Sequence, residues 1–132
     1  MGYRITHDEA DKRVDVTYFG AVTRADFEAA SAEAIGLQRT HGIVKFVIAF
    51  DGDTRITASK IDIYKLPTED YGKAKVDRRT RIAVVLPEAE DARNAALFYE
   101  DASRNRGWNV RTFADHATAV SWLGSSSSRG AA

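Results

Sequence analysis

Two aspartates and a threonine close a long apolar run at Asp51-Gly52-Asp53-Thr54, where phosphoryl-transfer chemistry would be placed. In an Asp-x-Asp-x-Thr loop the first carboxylate attacks phosphorus, the second acts as acid and base, and the hydroxyl helps cradle the phosphate. Here Arg55 stands where the threonine belongs, and no later acidic pair offers a magnesium site. The segment reads as an acidic turn at a strand end. A receiver-type phosphoacceptor fails too: no acidic pair follows the first strand, and the last strand runs into Phe113-Ala114-Asp115 without a lysine. His7, His41 and His116 stand singly, with no second ligand type at metal spacing. Ser31, Ser103 and Ser121 fall within helical stretches, with no strained elbow to activate them. Gly20, Gly36, Gly42 and Gly52 are isolated, so no glycine-rich phosphate loop exists. The chain has no cysteine, which removes thiolate chemistry and disulfides together. The expectation is a protein that is not an enzyme and takes no cofactor or metal.

Thr54, Thr57 and Ser59 remain, beside Asp51 and Asp53 and just ahead of a predicted helix. A phosphate there would meet unpaired N–H groups and a favourable helix dipole. The same hydroxyls are what a helix start needs as caps, and capping is the better reading.

A length of 132 residues suits one domain with one core, and 44% apolar residues is an ordinary globular share. The 19 basic and 19 acidic residues balance, whereas nucleic-acid binders carry a basic excess or stripe. Lys73, Lys75, Arg78, Arg79 and Arg81 form the one basic concentration, broken by Asp77, and read as a solvated loop. The opening Met1-Gly2-Tyr3-Arg4 carries no apolar leader, and no apolar stretch approaches the ~20 residues that span a bilayer. A cytoplasmic protein is expected, with no nucleic-acid partner and no stable membrane insertion.

The elements follow from periodicity. Tyr3, Ile5 and His7, then Val14, Val16 and Tyr18, alternate with polar residues around a polar turn, which predicts an antiparallel hairpin. Phe19-Gly20 ends it. Thr23 to Asp26 is a capping box opening a helix with Phe27, Ala30, Ala34, Leu37 and His41 on one face, closed by Gly42. Ile43 to Phe50 is nearly continuous apolar sequence, a strand buried on both faces. Ser59 to Asp62 caps a second helix reaching Leu66, where Pro67 disfavours continuation, and irregular chain follows from Gly72. Arg81 to Leu86 is a further buried strand, and Glu88 to Arg106 a long helix with Ala92, Ala95, Ala96, Tyr99 and Ala102 facing inward. Val110 and Phe113 mark the last strand, and Ala117 to Leu123 a short helix with Trp122 largely buried against it. The order β-β-α-β-α-β-α-β-α predicts an α/β fold with a five-stranded, mostly parallel sheet. Its strands should run in sequential order, with the long helices chiefly on one face. Residues 1–123 should form the domain and 124–132, with no apolar anchor, a disordered tail.

Several phrases carry a family likeness. Phe19-Gly20-Ala21-Val22-Thr23 resembles the strand-glycine-helix entry of STAS domains, the SpoIIAA-like anti-sigma-factor antagonist fold. Arg81-Ile82-Ala83-Val84-Val85, Phe98-Tyr99-Glu100, Val110-Arg111-Thr112-Phe113 and Ala119-Val120-Ser121-Trp122-Leu123 resemble the bacterial STAS/SEC14-like group of unknown function. The likeness spans Tyr3 to Leu123, through motifs that pack rather than react. The Asp-Ser-x-Gly motif of phosphorylated STAS antagonists is missing. The resemblance implies a non-catalytic regulatory or protein-interaction module, with a partner surface or phosphoacceptor region near Asp51, Asp53, Thr54, Thr57 and Ser59. Its SEC14-like side implies an alternative, a carrier of a small apolar or lipid-like ligand. Ile61, Ile63, Tyr64, Phe98 and Tyr99 would then line a cavity, with Lys75 or Arg79 meeting an anionic head group. A homodimer is a further expectation, through Phe98 on the outer side of its helix or through the unpaired edge strand Tyr3 to His7.

Overall fold

The computed structural model describes residues 2–124. Strands β1 (Tyr3–Asp8) and β2 (Arg13–Tyr18) pair antiparallel, from Tyr3 opposite Tyr18 to Asp8 opposite Arg13. The short chain reversal between them is made at Lys12, whose φ of 52° is left-handed, and Asp8 Oδ1 accepts the Asp11 N–H at 3.0 Å. Two-residue strand β3 (Ala21–Val22) follows Gly20, whose φ of 64° lets the chain turn out of the sheet. Helix α1 (Arg24–His41) opens on the predicted capping box: Thr23 Oγ1 accepts the Asp26 N–H, and Asp26 reaches back to the Thr23 N–H. Gly42, at φ 67°, closes it.

Strands β4 (Lys45–Phe50), β6 (Arg81–Val85) and β7 (Asn109–Phe113) join β2 in parallel, giving the order β1-β2-β4-β6-β7. The main sheet is therefore sequential and mixed, with one antiparallel edge, as the periodicity predicts. A second sheet was not foreseen: β3 pairs in parallel with β5 (Arg55–Ile56). Two residues are too few to show a period.

The stretch after Asp53 departs most from expectation. Helix α2 (Lys60–Lys65) stops as a regular α-helix just before Leu66, but the helical path continues through Pro67 as a π turn (Leu66–Asp70) and then α3 (Tyr71–Lys73). The Tyr71 N–H bonds to the Leu66 carbonyl, five residues back. The Pro67 carbonyl, which an α-helix would give to that N–H, accepts the Trp108 indole N–H at 2.8 Å. Thr68 Oγ1 donates to the Tyr64 carbonyl at 2.7 Å. Side chains and a wider turn thus take up the bonds that proline disrupts.

Alternate residues of the sheet serve two layers. Val14, Val16, Tyr18, Phe46, Ile82, Val84 and Val110 pack into the large core with residues of α1, of the α2–α3 stretch and of α4 (Glu90–Asn105). Val47 and Ala83 face the other way, onto Ala119 and Leu123 of α5 (His116–Gly124). The longer helices share one face, as predicted. On α4 the small residues Ala92, Ala96 and Ala102 and the Tyr99 ring are buried, as their spacing required, while Ala95 of the expected stripe is only partly buried. Trp122 needs correcting: it lies at the rim of the α5 layer, partly buried, beside Phe113 at 5.4 Å and under Arg81 at 4.5 Å. The deeply buried indole is Trp108, 4% exposed. Gly124, placed in the tail by composition, ends α5, and residues 125–132 lie outside the described residues.

Candidate functional site

The segment nominated as a partner or phosphoacceptor region is held by its own hydroxyls and carboxylates. Thr54 Oγ1, buried, donates to the Tyr18 carbonyl at 3.1 Å, and Thr57 Oγ1 donates to the Val22 carbonyl at 2.9 Å. Ser59 Oγ accepts the Asp62 N–H at 3.1 Å while Asp62 accepts the Ser59 N–H at 3.2 Å, a second capping box. Asp53 Oδ1 accepts the Gly20 N–H at 3.2 Å, and Asp51 pairs with Arg4 at 3.3 Å. Asp53, Thr54 and Thr57 tie the chain after β4 to the end of β2 and the chain beyond it, Asp51 ties it to β1, and Ser59 caps α2 locally. Their common effect is to anchor β5 beside β3 and to start α2.

The feature with the form of a binding site lies behind this clip, between the sheet and its helices. Two cavities of about 60 Å³ and about 50 Å³ share Tyr18, Ser31, Ile48 and Tyr71 as walls and so adjoin. The first runs along α1 past Ala30, Ala34 and Ile35 to Gln38. The second extends under α2 and α4, past Ile63, Leu66, Ala96 and Tyr99. Their origin is in the sequence of α1, which sets Ala30, Ser31 and Ala34 opposite the large strand residues Val16, Tyr18 and Ile48. Small side chains facing large ones leave space that the backbone spacing does not close.

Hydroxyls supply most of the polarity. Those of Tyr71 and Tyr99 meet at 2.6 Å, and burial raises both pKa values, that of Tyr99 to about 12. Tyr18 is buried between Phe27 at 4.9 Å and Phe50 at 5.6 Å, and burial raises its pKa as well. At the far end Gln38 Nε2 donates to the Ile43 carbonyl at 2.8 Å and to Thr80 Oγ1 at 2.7 Å. Gln38 Oε1 accepts the Asp77 N–H at 3.1 Å. Neither cavity is walled by an Asp, Glu, Lys or Arg.

Of the residues expected to line a cavity, Tyr99 and Ile63 do. Ile61 and Tyr64 do not; they point outward, 67% and 44% exposed, on the side of α2 away from the buried Ile63 and Leu66. Phe98 packs at the edge of the core, with Lys60 Nζ 5.8 Å from its ring centre, and does not wall either cavity. Arg79 pairs with Asp77 at 2.8 Å, and neither it nor Lys75 reaches the cavities. Sequence reasoning missed Tyr18, Ser31, Gln38 and Tyr71 as site residues. Only Tyr71 left a signal: Ile63, Leu66, Pro67 and Tyr71 keep helical spacing through the proline. Among the described residues no group of three or more His, Asp or Glu is placed to hold a metal ion, and no helix is long and apolar enough to cross a membrane. Comparison of the chain with protein-family profiles, curated proteins and solved structures gave no match.

Proposed function

We propose that this chain is a non-catalytic binding domain that holds a small, mainly apolar molecule between its sheet and helices α1, α2 and α4. The observation behind this reading is the pair of adjoining cavities of about 60 and about 50 Å³ with apolar walls and a few hydroxyls. Binding sites for small molecules have this make-up, and protein interiors otherwise keep few voids larger than a water molecule. At about 24 cal/mol per Å³, leaving about 60 and about 50 Å³ unfilled costs at most about 1.4 and about 1.2 kcal/mol, part of which a ligand would recover. The volume suits a small ring or short chain better than a two-chain lipid. The likeness to STAS/SEC14-like proteins and a cytoplasmic setting belong to this proposal, since the sequential sheet with an antiparallel edge strand accords with a SpoIIAA-like topology. Native mass spectrometry of the protein as purified tests it, together with thermal shift in saturated toluene. A retained small mass or a higher melting temperature is expected. A bare chain mass with no shift overturns the reading.

A second reading keeps the interaction module of STAS type, its partner a protein or a second copy of the chain. Its support is the exposure of Ile61 and Tyr64 on α2, next to the segment that the STAS resemblance assigns to partner contact. Sedimentation of the wild type and of Ile61→Asp at high concentration tests the self-association form. Dimer formation lost in the variant supports it, and a wild type that stays monomeric removes it.

A further inference from the structure

We propose that the Tyr18 hydroxyl is the recognition group of the slot, and that the ligand is a neutral molecule presenting a carbonyl oxygen to it. This rests on the slot holding a small molecule and goes on to the chemistry of that molecule. Tyr18 is 4% exposed and walls both cavities. Among the described residues its hydroxyl has no hydrogen-bond partner, whereas the other two core tyrosines satisfy each other at 2.6 Å. The hydroxyl oxygen keeps some accessible surface, so it is open to a partner that the protein itself does not supply.

Geometry makes this hydroxyl ready to bind. Its ring is clamped edge-on by Phe27 at 4.9 Å and stacked with Phe50 at 5.6 Å, so little side-chain freedom remains to be lost on binding. Tyr18 belongs to the wall that the two cavities share, so a molecule in either one lies against it. Ser31 of α1 shares that wall and brings a second hydroxyl-bearing residue to it.

The ligand's charge follows from what the walls lack. With no Asp, Glu, Lys or Arg lining either cavity, an ionised ligand would leave its charge uncompensated in an apolar space. An anionic head group reaching Lys75 or Arg79 is therefore replaced by a neutral oxygen. Burial keeps the Tyr18 phenol protonated, and a protonated phenol offers its hydrogen to an acceptor. A ketone, aldehyde or ester oxygen fits this requirement; a saturated hydrocarbon leaves the hydroxyl unpaired.

Two probes of equal shape separate this proposal from the reading beneath it: cyclohexanone, and methylenecyclohexane, in which a CH₂ group replaces the carbonyl oxygen. Both are titrated into the wild type and into Tyr18→Phe, following chemical shifts of core methyl groups. The variant should bind cyclohexanone roughly three- to tenfold more weakly, the worth of one neutral hydrogen bond, and methylenecyclohexane unchanged. Without ligand it should melt at the same or a higher temperature, because it loses only an unpaired hydroxyl. Unchanged ketone binding in the variant overturns the role of Tyr18 and leaves the slot standing. A clearly lower melting temperature also overturns it, since the hydroxyl would then have a structural partner. Failure of the wild type to bind either probe overturns the slot and this proposal together.

Discussion

Gln38 shows how one side chain can fix three pieces of the fold. It lies in the last turns of α1, and its amide reaches the Ile43 carbonyl, Thr80 Oγ1 and the Asp77 N–H, the approaches to β4 and β6. Gln38→Ala should therefore cost about 2–3 kcal/mol in urea unfolding, because it strands buried polar groups as well as losing contacts. A cost under about 0.5 kcal/mol would show that water replaces the amide. The two tryptophans differ in the same respect. Trp108 packs edge-on to Tyr71 at 5.6 Å, carries Arg78 3.7 Å from its ring centre and bonds to Pro67, while Trp122 is partly open to solvent. Trp108→Ala should cost about 3–5 kcal/mol and Trp122→Ala distinctly less. An equal loss would mean that α5 is as central as α4. At this scale the sequence was least readable: a glutamine on an amphipathic helix reads as surface, and only its partners, distant in the chain, reveal otherwise.

Among the elements, those with a local cause were legible and those with a distant cause were not. Both capping boxes, at Thr23 and at Ser59, were readable because a cap needs only four consecutive residues. The sheet strands were readable because apolar alternation and apolar runs lie within single segments. The π turn was not, since it depends on Trp108 arriving from the far end of α4 to take the Pro67 carbonyl. The slot depends likewise on α1 crossing the sheet with its smallest residues inward. Ala34→Leu tests that origin of the space. The added side chain should fill the first cavity and stabilise the domain by up to about 1.4 kcal/mol, at about 24 cal/mol per Å³ over about 60 Å³. It should also weaken binding of cyclohexanone. A destabilised variant would mean that α1 already sits as close to the sheet as its side chains allow.

For the whole molecule, stability should follow two sets of ionisable groups that lie in different places. Tyr18, Tyr71 and Tyr99 share the large core, and burial raises all three pKa values. A phenol whose folded pKa exceeds its unfolded value near 10 stabilises the fold fully below about pH 10, and that contribution is lost as pH rises through the folded pKa. For Tyr99 that value is about 12. Asp26, Asp62 and Asp115 work in the opposite sense at the helix starts. Backbone N–H groups of Thr23, Ser59 and Thr118 donate to them and hold their pKa values below the ordinary aspartate range. Their contribution is present above about pH 4 and disappears as pH falls through the folded values. These carboxylates are solvent-facing, so the acid limb should be shallow, while the alkaline limb involves the core itself and should be steep. The melting temperature should then be level from roughly pH 5 to 9 and fall on both sides, more sharply on the alkaline one. Tyrosinate absorbance gives an independent check. The three core phenols should ionise only together with loss of the near-ultraviolet circular dichroism signal, because burial disfavours the phenolate while the fold is intact. If all 5 tyrosines ionise while that signal persists, the slot is open to water at its tyrosine end and the core is looser than its packing implies.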